Sequence, residues 1–151
     1  MNFYKIIASV GGIGYVGKGG GTVAAVAFCV MWLLLPASYS HSIWQVVVTF
    51  FLITIGVWSS NIVDADWGKD SSKVVIDEVA GMAITLSFVP QQIGTMVAGL
   101  IAFRFFDIVK PLGIKQLEKW PKGWGVMADD ILAGLYALVI VQLLLQLKYF
   151  F

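Results

Sequence analysis

Three groups of acidic residues stand beside apolar segments of the chain, where they could contribute to one shared site. We expect each group at the end of a helix: Asp77-Glu78 opens the apolar segment Val79–Val89, Asp107 closes Ile93–Phe106, and Asp129-Asp130 opens Ile131–Leu147. The helix dipole stabilises an acid at a helix N-terminus by about 0.3–1 kcal/mol, which accounts for one acid per helix. It accounts poorly for adjacent pairs, because like charges repel and are costly near hydrocarbon. Clustered carboxylates need cations, and hard oxygen ligands select Mg²⁺, Ca²⁺ or Mn²⁺.

Two cationic residues accompany these acids around the end of one apolar run. Arg104 stands three residues before Asp107, so the two side chains share a helix face if the helix continues to Val109. Lys110 follows, and Pro111 should stop the helix soon afterwards. A guanidinium in so apolar a run requires a partner. A structural salt bridge to Asp107 and the binding of a phosphate by the planar guanidinium both remain open.

A glycine-rich segment, residues 17–21, leads into Thr22. Glycines let backbone N–H groups approach an anion, and Thr22 is a suitable N-cap for the helix that should begin there. The segment lacks the Gly-Lys-Ser/Thr ending of a P-loop, so a flexible interfacial turn is the alternative interpretation.

Several other kinds of chemistry are disfavoured by residue count or context. Cys29 is followed by the apolar residues 30–35, where a cysteine-dependent phosphatase needs a basic loop that cradles phosphate. His41 is the single histidine, which excludes a two-histidine phosphatase mechanism and, with one cysteine, a zinc site. The acidic run 64–70 lacks the glutamate that closes a calcium loop, so we expect a solvated loop.

The composition indicates the elements that must position these residues. The 151 residues are 59% apolar and 13% charged, whereas soluble domains are about 45–50% apolar and about 25% charged. Five apolar segments stand out, several of them shorter than the roughly 20 residues of a spanning helix: Thr22–Leu35, Ile43–Trp58, Val79–Val89, Ile93–Phe106 and Ile131–Leu147. We predict one all-α integral membrane domain over residues 1–151. It should be a compact bundle of four to five transmembrane or half-buried helices with a glycine-rich N-terminal loop.

The distribution of charge predicts the orientation of the bundle. The connections at residues 36–42 and 90–92 carry no formal charge, while lysines gather in the N-terminal segment and in the loops 59–76 and 107–127. The positive-inside rule places these lysine-bearing segments in the cytoplasm. All nine acidic residues fall on the same side, and we expect a shared site there. The net charge of +1 gives no indication of a nucleic-acid partner.

In four stretches the sequence resembles phosphatidylglycerophosphatase A, a family of small bacterial membrane lipid phosphatases. The stretches occur in the family order and cover nearly the whole chain: Gly12-Ile13-Gly14 with Gly21-Thr22, Asp77-Glu78-Val79-Ala80-Gly81-Met82, Phe103-Arg104-Phe105-Phe106-Asp107-Ile108-Val109-Lys110-Pro111, and residues 123–134 with Asp129-Asp130-Ile131-Leu132-Ala133-Gly134. The chain departs from the family pattern at Gly20, at Ala24-Ala25 and at Gly113. These departures leave the role of residues 17–25 open.

The resemblance implies Mg²⁺-dependent hydrolysis of phosphatidylglycerophosphate to phosphatidylglycerol and phosphate, at the cytoplasmic face of the bacterial inner membrane. The implied metal ligands are the five acids named above: Asp77, Glu78, Asp107, Asp129 and Asp130. All of these except Glu78, together with Arg104, are the implied catalytic residues. The phosphate would be bound by Arg104, Lys110, Gly21 and Thr22. Oligomeric state and the number of metal ions stay open.

Two other functional classes compete with this interpretation. A divalent-cation transporter or channel subunit would need acids along a path through the bilayer, and no acid lies in the middle of an apolar segment. A phosphotransferase acting on CDP-alcohols would need a spaced Asp-Gly and Ala-Arg motif, which the sequence lacks.

Overall fold

The computed structural model describes residues 2–69 and 71–150, and all regular structure in that part of the chain is helical. Two short 3₁₀ turns, Ile13–Val16 and Tyr39–His41, precede the second and third α-helices. The α-helices are α1 Phe3–Ala8, α2 Gly20–Leu34, α3 Ile43–Trp67, α4 Ile76–Thr85, α5 Ile93–Val109, α6 Ile114–Leu117 and α7 Gly123–Phe150. The predicted all-α class is confirmed, and each of the five apolar segments contains at least part of a helix; α4 ends at Thr85, before the expected Val89.

The short helix α4 lies at the centre of the bundle, packed against α2, α3, α5 and α7. Its residues Ile76 and Val79 to Thr85 are all buried. Ten residues at 1.5 Å per residue make a helix of about 15 Å, roughly half the hydrocarbon thickness of a bilayer. The helix is therefore an internal element, and its first turn carries Asp77 and Glu78 as expected from the sequence.

The C-terminal end of α4 lies inside the molecule, where its backbone carbonyls need partners other than water. Gln45 on α3 is fully buried and donates a hydrogen bond from Nε2 to the Ala83 carbonyl, at 2.7 Å. Gln142 on α7 donates to the Phe88 carbonyl just beyond the helix, at 2.9 Å. These two glutamines let a half-length helix end between two long ones.

The helices α3 and α7 enclose this core and are the two described helices long and apolar enough to cross a membrane. Each offers a stretch of 25 residues, about 37 Å at 1.5 Å per residue, against a hydrocarbon core of about 30 Å. Within the described residues, α2 is a shorter apolar helix. Many large apolar side chains face outward, among them Phe50, Phe51 and Leu143.

The start of α7 corrects one sequence prediction. The helix begins at Gly123, so Asp129 and Asp130 lie in its second turn and do not open it. Asp130 is about 10 Å beyond the first residue of α7 by helical rise. The favourable interaction with the helix dipole fades beyond the first turn, so it does not explain this acidic pair. Both side chains are nevertheless buried.

Two further boundaries also differ from the prediction. The helix α3 continues to Trp67, so Asp64 and Asp66 lie on a helix and not in a solvated loop; Asp70 lies outside the described residues. Thr22 is not the N-cap of α2. Gly19 occupies that position with a left-handed φ of 97°, which glycine adopts easily, and the helix therefore begins at Gly20.

Candidate active site

Two glycines set the distance between the helices that carry the acids. Gly81 follows Asp77 by four residues, and Gly134 follows Asp130 by four, so each glycine lies one turn beyond an acid on the same helix face. A Cβ atom placed on Gly134 would lie 2.5 Å from the Gly81 carbonyl oxygen. A Cβ on Gly81 would lie 2.9 Å from the Asp130 carbonyl oxygen. Because neither glycine has a side chain, α4 and α7 can approach backbone to backbone, which brings their acids together.

Asp77, Glu78 and Asp130 form a carboxylate cluster at this crossing. One oxygen from each carboxylate lies within 4.8 Å of the other two. Asp130 is buried with 3% of its surface exposed, and the other two residues are half-buried. One oxygen of each carboxylate is buried without a hydrogen-bond partner in the described part of the chain: Asp77 Oδ1, Glu78 Oε2 and Asp130 Oδ2. This arrangement of hard oxygen donors fits a divalent cation such as Mg²⁺.

The electrostatics of the cluster also favour a bound divalent cation. Burial raises the pKa of Asp77 well above its usual range, and the negative charges of Glu78 and Asp130 act in the same direction. Without a cation, the cluster would therefore tend to hold protons. A bound divalent cation would compete with those protons and would let the carboxylates ionise together.

Arg104 and Asp107 lie on the last turns of α5 and face the cluster. Arg104 donates a hydrogen bond from Nη1 to Asp107 Oδ2 at 2.5 Å, and the same nitrogen is 3.8 Å from Glu78 Oε1. Asp107 is also an electrostatic neighbour of Asp130. The expected continuation of the helix to Val109 is confirmed, and the shared face follows from it. Arg104 thus stands between the structural partner Asp107 and the carboxylate cluster.

Lys110 and Asp129 form a second charged group next to the cluster. Lys110 Nζ donates to Asp129 Oδ2 at 2.5 Å and to Glu118 Oε1 at 2.6 Å. Partial burial lowers the pKa of Lys110, but hydrogen bonds to these two acids outweigh it and raise that pKa above the ordinary lysine value. The predicted phosphate ligand Lys110 is therefore a fully protonated cation that is engaged by two carboxylates. Asp129 contacts Lys110 and is not one of the three clustered carboxylates.

The glycine loop lies against the cluster from the side of α2. A Cβ atom on Gly21 would collide with the Glu78 carboxylate, so the absence of a side chain at Gly21 is what lets Glu78 occupy its position. Thr22 is exposed in the first turn of α2. Of the two loop residues predicted to bind phosphate, Gly21 is thus the one that the structure places directly against a cluster residue.

The sequence prediction missed Glu118 as a partner of Lys110 and missed the spacing role of Gly81 and Gly134. Glu118 follows Lys110 by eight residues across the short helix α6, and this separation carries no periodic signal. The two glycines had a signal that could have been used, since each stands four residues after an acid. His41 hydrogen-bonds to Ser40 in the turn before α3, remote in sequence from all of these groups.

The fold and the site together define the class of protein to which this chain belongs. This is an apolar helical protein in which carboxylates, an arginine and a lysine gather at the first turn of α4, the second turn of α7 and the C-terminal end of α5. Such a combination suits a ligand that carries a phosphate, because oxygen donors hold cations and a guanidinium matches phosphate oxygens.

Comparison with known proteins identifies the family. A family model described as Phosphatidylglycerophosphatase A matches residues 6–145, and the chain belongs to that family and is a phosphatase. A Bacteroides thetaiotaomicron protein named as a candidate phosphatidylinositol-3-phosphatase is 36% identical over 129 residues, 83% of this chain and 80% of that protein.

Two further relatives carry the family name. Phosphatidylglycerophosphatase A of Haemophilus influenzae is 31% identical over 144 residues, 93% of this chain and 88% of the relative. Phosphatidylglycerophosphatase A of Escherichia coli is 35% identical over 119 residues, 76% of this chain and 65% of the relative. No solved structure matches the chain.

Proposed function

We propose that this protein hydrolyses phosphatidylglycerophosphate to phosphatidylglycerol and phosphate, with Mg²⁺, at the cytoplasmic face of the bacterial inner membrane. The observation that carries the proposal is the convergence of Asp77, Glu78 and Asp130 beside Arg104. The family and the names of two relatives support the lipid phosphatase activity and this substrate.

The residues present fit a divalent cation. Asp77, Glu78 and Asp130 would hold it, because each has a buried oxygen without a hydrogen-bond partner among the described residues. Asp107 and Asp129 complete the proposed ligand set as neighbours of this cluster. When bound, Mg²⁺ would neutralise charge on the phosphate oxygens and polarise the phosphorus.

The chain's own residues would bind and orient the phosphate. Arg104 can offer guanidinium N–H groups to the phosphate oxygens, and Asp107 fixes its position through the 2.5 Å hydrogen bond. Lys110 would supply a second positive charge next to Asp129. The first turn of α2, which Gly21 allows to lie against the Glu78 carboxylate, would offer its backbone N–H groups to the phosphate. A carboxylate of the cluster could serve as the general base, whereas the histidine in the turn before α3 is remote in sequence from the cluster.

The proposed placement in the membrane has α3 and α7 crossing the bilayer, with the charged ends of the helices in the cytoplasm. This orientation is supported by the lysine-rich segments around α6 and before α2. A lipid whose phosphate lies at the membrane surface would then have its headgroup at the level of the cluster. The internal position of α4 accounts for acids that lie slightly below that surface.

A second candidate substrate is phosphatidylinositol-3-phosphate, which is favoured by the relative with 36% identity. Both lipids are phosphate monoesters on an anionic glycerolipid, and the site as described recognises that shared group. A cation transporter is less well supported. The acids gather at one end of α4, and residues 79–84 beyond them are apolar and buried.

The experiment is a phosphate-release assay with the purified protein in mixed micelles, comparing the two lipids with and without Mg²⁺. We expect Mg²⁺-dependent release from phosphatidylglycerophosphate and a loss of at least about a hundredfold in Asp130→Asn and Asp77→Asn. Lys115→Gln, on an exposed residue of α6, serves as the control. Full activity in both aspartate variants would show that the proposed site is wrong.

A further inference from the structure

An apolar groove of about 470 Å³ opens between α2 and α3, next to the first turn of α4. The side chains that line it are all apolar and include Ala27 and Met31 from α2, Phe51 from α3 and Val79 from α4. Its volume lies within the range of roughly 300–1,000 Å³ that is typical of ligand sites. Phe51 and Met31 are 59% and 47% exposed, so the groove opens at the outer surface of the bundle.

Residues that line the groove adjoin the carboxylate cluster along the chain. Val79 directly follows Glu78, and Ala24, which also lines the groove, lies about one turn beyond Gly21. Gly21 itself lies against the Glu78 carboxylate. The α2 positions 21, 24, 27–28 and 31 recur every three to four residues and so share one helix face. From Gly21 to Met31 this face extends about 15 Å away from the cluster.

We propose that this groove holds an acyl chain of the lipid phosphate monoester while the phosphate lies at the cluster. The inference rests on the proposed function and adds a binding site for the hydrocarbon part of the substrate. A glycerolipid carries its acyl chains within a few bonds of the headgroup phosphate. A groove that is lined by apolar residues and adjoins the turn with Asp77 and Glu78 matches this geometry. Among the described residues it offers no polar side chain to a water-soluble ligand.

A second apolar groove, of about 400 Å³ between α5 and α7, provides an internal comparison. It is lined by Ala102 and by Phe106, which precedes Asp107. It therefore runs beside the Arg104–Asp107 ion pair, whereas the α2–α3 groove touches the turn that carries Asp77 and Glu78. The three clustered carboxylates favour the α2–α3 groove as the one that serves the substrate.

The test fills each groove with one indole ring. Ala27→Trp fills the α2–α3 groove, and Ala27 is exposed, so the new side chain does not displace the core. Ala102→Trp fills the α5–α7 groove and is the control; Ala102 is half-buried and packs against the core, so the thermal unfolding of both variants is compared as well. Each variant is assayed with dipalmitoyl and with dibutyroyl phosphatidylglycerophosphate in the same detergent. For Ala27→Trp we expect kcat/KM to fall on the order of tenfold or more with the long chains and to change less than about twofold with the short chains.

The inference would be overturned by equal losses on both lipids, by no loss, or by a chain-selective loss in Ala102→Trp instead. Met31→Trp, further from the cluster, replaces Ala27→Trp if the latter does not fold, and should spare chains of intermediate length. A wild-type protein that releases no phosphate would reject the proposed function alone. The groove is then tested by crosslinking a lipid with a photoactivatable acyl terminus. Labels within residues 24–31 support the groove, and labels confined to other helices refute it.

Discussion

The crossing of α4 and α7 yields the sharpest prediction, because the backbones of the two helices are in direct contact at Gly81 and Gly134. In Gly134→Ala the new Cβ would lie 2.5 Å from the Gly81 carbonyl oxygen, and ordinary contact begins at 3.4 Å. Neither group is a flexible side chain, so the two helices must separate by about 1 Å. That displacement moves Asp130 away from Asp77 and Glu78, one turn from the contact. Misplacement of reacting groups by about 1 Å can cost on the order of a hundredfold in rate.

The expected loss of stability is smaller than the loss of activity. Overpacking lowers the free energy of unfolding by about 1–3 kcal/mol. Replacing glycine by alanine inside a helix raises it by about 1 kcal/mol. The net change in the free energy of unfolding should stay within about 2 kcal/mol, which leaves a folded protein. Phosphate release and thermal unfolding in the same detergent would measure both effects.

The control for this prediction is Gly94→Ala on α5, where an added Cβ meets no atom of the described residues within 4 Å. This variant should keep full activity and unchanged or slightly raised stability. If Gly134→Ala retained wild-type activity, the close approach of the helices would not be what positions the carboxylates, and the reasoning would be refuted.

Two more predictions concern the cations. Arg104→Lys removes the planar guanidinium that contacts Asp107 and faces Glu78. We expect kcat/KM to fall by on the order of a hundredfold, while the circular dichroism spectrum stays unchanged. A change in kcat/KM within about twofold would argue against phosphate binding by Arg104. Lys110→Met leaves Asp129 buried without its cation, so the free energy of unfolding should drop by up to about 3 kcal/mol. The exposed control Lys115→Met should lower it by about 0.5 kcal/mol or less. Equal effects of the two substitutions would show that the Lys110 pair does not stabilise the fold.

The parts of the site that follow from local periodicity could be predicted from the sequence. Arg104 and Asp107 lie three residues apart on one helix and share a helix face as expected, and their ion pair is one of the two roles that the sequence left open for Arg104. Asp77 and Glu78 are in the first turn of α4 as expected. These inferences needed only the helical repeat and the position of Pro111, which are both local properties of the chain.

The parts that depend on tertiary packing could not be predicted in this way. The N-terminal end of α7 contains Gly123 and Gly125, which weaken local helix propensity, so the apolar run alone placed the helix start near residue 131. A Cβ on Gly123 would collide with the Val57 carbonyl of α3, so packing against α3 requires glycine at that position. Similarly, α3 extends to Trp67 because its last turns pack on α1, where Lys5 pairs with Asp66 at 2.7 Å.

The balance of charge decides how the site could accept a phosphate. Lys110 is already engaged by Glu118 and Asp129, and Arg104 by Asp107. When they are ionised, the three clustered carboxylates would therefore repel a phosphate dianion. Divalent cations reverse that sign, so we expect substrate affinity to depend on cation binding and not on the two basic residues alone. Carboxylates by themselves would equally suit a cation transporter. The Arg104 guanidinium, 3.8 Å from the Glu78 carboxylate, would attract an anionic substrate. In a site that binds only cations, the same positive charge would weaken cation binding.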